Sequence, residues 1–267
     1  MAAFISSKIR DIDLVYDAHE FFTEVPELQN RKISKSIWRF LESFLLPKIK
    51  HCYTVSQGVA DLFKERYKKQ FRVIRNVPLK KEIPFLNNEE RLIIYQGALN
   101  VGRGLEYIIR AMKQIEAKLI IVGEGDISKD LKDITIALKL EEKVSFMGSI
   151  DPNELSSVTR SASLGLNLLE PKGLNYIHSL ANKFFDYIEA GIPQLCMRFP
   201  EYLKINEEYE VAVLLEGLNE LYLANTINDL FNNQKYYNKL RNNALKAREV
   251  LCWQNEEKKL LEIFKNI

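Results

Sequence analysis

Cysteine is scarce in this chain. The three residues, Cys52, Cys196 and Cys252, sit at spacings that no metal site uses. Each stands beside apolar or aromatic neighbours, so they read as reduced, packed thiols, and the chain reads as cytoplasmic. No apolar run approaches the roughly 18–20 residues that a membrane span needs. The opening residues, MAAFISSKIRDIDL, lack a basic start followed by a long apolar core, so they do not read as a secretory signal. An excess of one charge is missing too. Lys plus Arg number 38 against 36 Asp plus Glu, a net charge of +2 that carries no overall nucleic-acid signal. Sequence repeats and low-complexity tracts are absent, which argues against a solenoid or an array. The Asp-x-Asp at 11–13 precedes a strand-like run and reads as a solvated turn, not a metal site.

What is present is ordinary globular composition: 46% hydrophobic and 28% charged residues in a chain of 267. That length holds two modest domains or one large one. Strand-like runs DLVYDAH (13–19), CYTVS (52–56) and FRVIRNVP (71–78) alternate with helical patterns at 33–46 and 57–68. This alternation predicts parallel strands joined by crossover helices. A polar break with Pro84 and paired Asn, LKKEIPFLNNEER (79–91), reads as a linker. The alternation then restarts: LIIYQG (92–97), KLIIVG (118–123), KVSFMG (143–148), LGLNLLE (164–170), PQLCM (193–197) and VAVLLE (211–216). Helical patterns fill 104–116, 128–140, 152–162, 180–190, 217–232, 235–250 and 253–264. Three of these runs end in glycine, Gly97, Gly123 and Gly148. Ligands bind at the carboxyl ends of strands in an open parallel sheet, and glycine there admits a close approach. The plainer alternative is tight turns.

Two segments carry candidate chemistry. In YQGALNVGRGLEYIIRAM (95–112) Arg103 stands between Gly102 and Gly104, just before a helix. A fixed cation beside free helix amides suits an anion such as a diphosphate; a solvated turn arginine is the alternative. In EPKGLNYIHSLANKFFDYIEAGIP (170–193), Ser179 is placed to cap a helix and leave amides free at 180–182, with Lys183 one turn in and Asp186 three residues later. A phosphate on the amides and a ribose diol on the carboxylate would use both ends. An N-cap plus an i, i+3 pair worth at most about 0.5 kcal/mol is the alternative. Placed together at strand ends of one sheet, the two segments describe a nucleotide-diphosphate crevice.

The chain resembles the GT-B glycosyltransferases of the large retaining, nucleotide-sugar-dependent group called family 4. The resemblance is carried by VYDAHEFFTEVPE, YTVSQGVADLFKERY, VIRNVP, YQGALNVGRGLEYIIRAM, LIIVGEGD, KVSFMGSIDPNEL and NKFFDYIEAGIPQL, in that order and spacing. It implies an α/β fold of two Rossmann-type parallel-sheet domains. These are a partial acceptor-side domain at 1–84, a nucleotide-sugar domain at 85–250, and a helix at 251–267 crossing back to the first. It implies transfer of a sugar from a UDP- or GDP-sugar to a glycan or lipid-linked acceptor, with retention and without a metal or other cofactor. By the resemblance His19 faces the donor sugar, Arg103 and Lys183 hold the diphosphate, and Asp186 holds the ribose. The implied donor-binding set is completed by Gly97, Gly123, Met147, Gly148, Tyr176, His178, Ser179, Leu180 and Asn182. Two departures stand out: Ala98 where the family has a second basic residue, and His178 where it usually has Glu.

Only about three strands precede the linker, fewer than a complete nucleotide-fold half, so the chain reads as a family member without the front of its first domain. Two functions compete on that basis. One is a glycosyltransferase. The other is a truncated, non-catalytic nucleotide-sugar-binding subunit that needs a partner chain to complete the first domain. A nucleotide-sugar epimerase of the same fold is weaker, because the chain has only His19, His51 and His178. The segment 30–50 combines Arg31, Lys32, Lys35, Arg39, Lys48 and Lys50 with Ile37, Trp38, Leu41, Phe44 and Leu45. It fits either a helix on the inner face of an anionic membrane or a core helix with a solvated basic face.

Overall fold

A computed structural model describes residues 1–25, 28, 31–82, 90–265 and 267. Among them the strands form a three-stranded sheet and a six-stranded sheet, both parallel throughout. The first unit runs α1 (Ala2–Arg10), β1 (Val15–Ala18), α2 (Lys32–Leu45), β2 (His51–Thr54), α3 (Gln57–Tyr67) and β3 (Arg72–Val73). Its order is β1-β2-β3, with Val15 opposite His51 and Tyr53 opposite Arg72. Parallel neighbours need crossovers, and α2 and α3 supply them. Phe63 ties the small core together, stacking on Phe71 at 4.1 Å between centroids and meeting Phe21 edge-on at 4.9 Å. The run expected as a strand over 71–78 pairs only at Arg72–Val73. The chain leaves the sheet at Arg75, whose amide donates to the Glu256 carboxylate at 3.1 Å.

The second unit contains β4 (Leu92–Gln96), α4 (Leu105–Ala111), β5 (Lys118–Val122), α5 (Ser128–Ala137), β6 (Val144–Gly148), α6 (Pro152–Ser161), β7 (Leu164–Asn167), α7 (Leu174–Ile177), α8 (Asn182–Ala190), β8 (Gln194–Met197), α9 (Pro200–Tyr209), β9 (Ala212–Leu215), α10 (Glu220–Asn232) and α11 (Gln234–Ala247). The central strands β7 and β8 are buried at every position, which explains their near-continuous apolar character. The strand order is β6-β5-β4-β7-β8-β9. The chain therefore builds outward from β4 in one direction, then crosses back and builds outward from β7 in the other. The gap between the carboxyl ends of β4 and β7 is the switch point of a doubly wound sheet, where no crossover helix covers the strand ends.

In the second unit two helices lie where no helix was expected, α7 and α9. The start of α9 was marked in the sequence by Pro200, which occupies its first turn; its inner face is the short set Glu201, Tyr202 and Ile205. The helix expected at 104–116 ends at Ala111 and continues as one 3₁₀ turn, Met112–Gln114. The last helix, α12 (Trp253–Phe264), lies against the first unit. The Trp253 amide donates to the Pro78 carbonyl at 2.9 Å, and buried Ile263 borders a cleft with Phe71 and Lys50. The expected boundary at 84/85 falls outside the described residues. The three cysteines are all buried thiols.

Candidate functional site

Two loops leave the switch point and meet above it. The first follows β4 and runs through Gly97 to Gly104; the second follows β7 and runs from Leu168 to Ala181. The Glu170 amide donates to the Gly102 carbonyl at 2.9 Å. A Cβ on Gly102 would come within 3.4 Å of the Tyr176 ring. Arg103 rides on the first loop, with its guanidinium carbon 5.2 Å from the Tyr176 ring centroid and its buried Nε unpartnered.

Lys183 is the second residue of α8 and points back toward the end of β4. It is buried, and its Nζ stands 3.6 Å from the centroid of the Tyr95 ring. Gly97, at φ +125°, leaves the room: a Cβ there would sit 3.3 Å from that ammonium. Burial, then the neighbouring Arg103 cation, push the Lys183 pKa well below the ordinary lysine value. Among the described residues neither Arg103 nor Lys183 forms an ion pair. Two adjacent cations at strand ends, one of them buried, with no acid in contact are electrostatically costly unless an anion completes them.

Asp186, one turn further along α8, is not part of an i, i+3 pair with Lys183. Its Oδ2 accepts from Gln96 Nε2 at 2.8 Å, and Gln96 Oε1 in turn accepts from Thr159 at 2.7 Å. Burial raises the Asp186 pKa to about 6 against the Gln96 hydrogen bond, with Glu189 adding and Lys183 opposing. The carboxylate opens on a cleft of about 250 Å³ lined by Gln96, Pro152, Leu155 and Thr159. The alternative of a simple i, i+3 pair fails because Lys183 extends to the Tyr95 ring while Asp186 turns to the polar residue that ends β4.

Ser179, expected to cap α8, does not do so. Its hydroxyl donates to the Tyr176 carbonyl at 2.8 Å, closing a turn at the end of α7. Ala181 is the N-cap of α8 and has no side-chain cap. The amides of Ser179 and Ala181 are not free either; they donate to Tyr176 O at 3.3 Å and to the Tyr202 hydroxyl at 3.0 Å. The anion-attracting character of this loop therefore rests on Arg103 and Lys183 more than on the two amides.

The remaining expected residues fall around this centre. Gly123 has a packing reason of its own, since a Cβ would lie 2.1 Å from the Gly97 carbonyl oxygen. Met147 and Gly148 end β6, with Met147 exposed. Leu180 buries its side chain and Asn182 is exposed at the start of α8. The His178 ring packs against the N-terminus of α3, and its carbonyl accepts from Ser56 Oγ at 3.0 Å. His19 stands just past β1, exposed, 3.0 Å from the Asp17 carboxylate. Two residues on, the Phe21 amide donates to Asn175 Oδ1 at 3.2 Å, and Asn175 Nδ2 donates to Glu20. The Glu201 carboxylate accepts from the Gln57 and Gly58 amides at 3.1 and 3.0 Å, so a residue of the second unit caps α3 of the first. The second loop is thus pinned to both units. Gln96, Asn175, Glu201 and Tyr202 escaped the sequence reading. Only Gln96 left a signal, as the polar end of an otherwise apolar strand. Among the described residues no group of three or more His, Cys, Asp or Glu side chains is placed to hold a metal ion.

Two Rossmann-type sheets joined by a helix of this kind, with a cationic crevice at the switch point of the second, define a GT-B architecture. A family model, Glycosyl transferases group 1, matches residues 76–247, and the chain belongs to that family. It is similar to the uncharacterized glycosyltransferase MJ1607 of Methanocaldococcus jannaschii, 26% identical over 187 residues that make up 67% of this chain and 46% of that protein. It is also similar to the alpha-monoglucosyldiacylglycerol synthase of Streptococcus pneumoniae, 23% identical over 104 residues, 36% of this chain and 24% of that one. The chain thus spans less than half the length of these curated relatives. Among solved structures, Anabaena Alr3699/HepE in complex with UDP-glucose superimposes with a TM-score of 0.80 at 17% identity, over 99% of this chain and 75% of that one. Sucrose-phosphate synthase from Thermosynechococcus elongatus gives 0.79 at 16% identity, over 99% and 71%.

Proposed function

We propose that the chain is a glycosyltransferase that takes its sugar from a nucleoside diphosphate donor, a UDP- or GDP-sugar, and passes it to a glycan or lipid-linked acceptor. The observation that carries this reading is the pair Arg103 and Lys183, adjacent at the switch point with no acid in contact. In such a transfer the glycosidic bond to the diphosphate breaks and negative charge grows on the departing phosphate. Fixed cations in a partly dry site stabilise that charge as it forms. Arg103 and Lys183 supply it without a metal, and bound diphosphate restores the ordinary protonation of Lys183. Asp186 accepts the ribose hydroxyls in place of the Gln96 amide. His19 faces the sugar from the first unit, a placement favoured by the hydrogen bonds that tie Glu20 and Phe21 to Asn175. Retention, with a donor phosphate oxygen drawing off the acceptor's proton, rests on the family resemblance. A lipid-linked acceptor is favoured by the relative named for a diacylglycerol product.

The test separates phosphate from nucleoside recognition. Arg103→Ala lowers UDP affinity by about ten-fold, as loss of one charge-assisted hydrogen bond implies. Uridine affinity stays the same. Equal losses for UDP and uridine would assign Arg103 to folding instead. Release of nucleoside diphosphate from a bound donor then separates an enzyme from a binding subunit.

A further inference from the structure

Helix α2 presents to the outside what an amphipathic helix normally hides. Of its own residues only Glu42 is buried. Ile33, Ile37, Phe40 and Phe44 follow one another at i, i+4, i+7 and i+11, and are 80, 55, 69 and 46% exposed. The Phe40 and Phe44 rings stack nearly parallel, 10° apart, and Trp38 beside them leans on Phe22. Cations frame this stripe. Lys35 and Arg39 are held by Glu24 at 2.7 Å each. Arg31, Lys32, Lys48 and Lys50 have no acidic partner among the described residues, and Lys48 Nζ lies 3.1 Å from the Phe44 ring centroid. The one acid of the segment 31–50 is Glu42, and it turns inward to the Tyr67 hydroxyl. Beyond the foot of α2 the positive character continues into a cleft of about 430 Å³ lined by Lys50, Lys69 and Arg72.

The occupant of such a face must accept bulky apolar groups and supply negative charge around them. Water solvates the cations but leaves the apolar groups exposed to it, and an apolar protein surface covers those groups but brings no negative charge. We propose that α2 docks the protein on an anionic phospholipid bilayer, with Ile33, Ile37, Phe40 and Phe44 entering the boundary between headgroups and acyl chains and Arg31, Lys32, Lys48 and Lys50 meeting lipid phosphates. Long basic side chains reach outward from such a depth, and aromatic rings favour it. No helix among the described residues is long and apolar enough to cross a membrane; α2 lies along it. The proposal rests on this face alone and holds whether or not the donor reading does.

The experiment is co-sedimentation of the full chain with phosphatidylcholine vesicles, with and without phosphatidylglycerol, at low and high salt. The protein pellets with the phosphatidylglycerol vesicles, less so at high salt, and stays in solution with phosphatidylcholine alone. Lys32→Glu/Lys48→Glu lowers the partition at least 25-fold, at about five-fold per lost cation. Phe40→Ser/Phe44→Ser abolishes it. All four side chains are exposed, so unchanged circular dichroism and melting temperature show that the variants fold. Wild-type protein that stays in solution with phosphatidylglycerol vesicles overturns the proposal. So do variants that pellet as the wild type does, or a vesicle-free dimer that the Phe40/Phe44 variant dissolves, which would make this face a contact between copies.

Discussion

Lys183→Met makes the protein more stable and at the same time a much poorer ligand for nucleoside diphosphates. The two effects have opposite signs because one charge causes both. In the free protein the ammonium is buried over the Tyr95 ring, beside Arg103, with no acid in contact. A methionine of similar length fills the same space without a charge to desolvate, so stability rises by on the order of 1 kcal/mol. The wild type also carries a pH signature that the variant lacks. The unfolded chain holds the lysine proton up to about 10.5, whereas the folded chain releases it at lower pH. The unfolded state therefore binds more protons in that window, and wild-type stability rises with pH across it. The Met variant loses this slope. With donor present the balance reverses: affinity for UDP falls by roughly 10–100-fold and sugar transfer by about 10²–10³-fold, since the lost cation acts most on charge that develops late. Thermal melts from pH 7 upward and UDP titrations check both halves. A destabilised variant with unchanged UDP affinity contradicts the assignment.

Asp186 gives the second large effect, and it appears as a pH profile. Its carboxyl ionises near 6 in the folded protein against an ordinary value of 3.8. Between those values the folded state holds the extra proton, so this group's contribution to stability declines as pH rises from about 4 to about 6 and is flat above. The full difference is on the order of 3 kcal/mol, with the Gln96 hydrogen bond already included in it. Asp186→Asn removes the penalty and is more stable than the wild type at pH 7–8. A ribose diol, by contrast, donates best to the ionised carboxylate. Wild-type affinity for a nucleotide therefore rises about five-fold between pH 5 and pH 6, about two-fold more by pH 7, and levels off above, as titration of one group dictates. The Asn variant binds about 10–100-fold more weakly at pH 8 and shows no such rise. Nucleotide titrations from pH 5 to pH 8 check this; a wild-type profile flat across pH 6 removes Asp186 from the ribose site.

Much of the architecture was legible because parallel sheets leave a plain trace. Runs such as LIIYQ, KLIIV and LGLN are apolar on both faces, and the elements between them have helical period. Convergence of the Arg103 and Lys183 segments followed from their places after β4 and β7 once the sheet order was assumed. The finer geometry was not legible. Ser179 had the residue type and spacing of an N-cap, yet α7, a helix of four residues, ends just before it and claims its hydroxyl. The Lys183–Asp186 pair had the right spacing on a helix. Spacing carries no information about the Tyr95 ring and Gln96 amide, which come from another strand and compete for those two side chains. Gly123 shows the converse: a strand-end glycine reads alike whether it admits a ligand or, as here, the carbonyl of Gly97. Links between the units, Glu201 to the start of α3 and Asn175 to Phe21, join residues more than a hundred positions apart and leave no local pattern.

We propose that the crevice between the ends of β4 and β7 holds a nucleoside diphosphate sugar on Arg103 and Lys183 without a metal. Calorimetric titration of the full chain with UDP- and GDP-sugars, in the presence of EDTA, tests it most directly. The expected result is saturable one-to-one binding of at least one donor, competed by the matching nucleoside diphosphate and lost in the Arg103→Ala/Lys183→Met double variant. Binding that survives in that folded double variant, or that appears only when a divalent cation is restored, would contradict it.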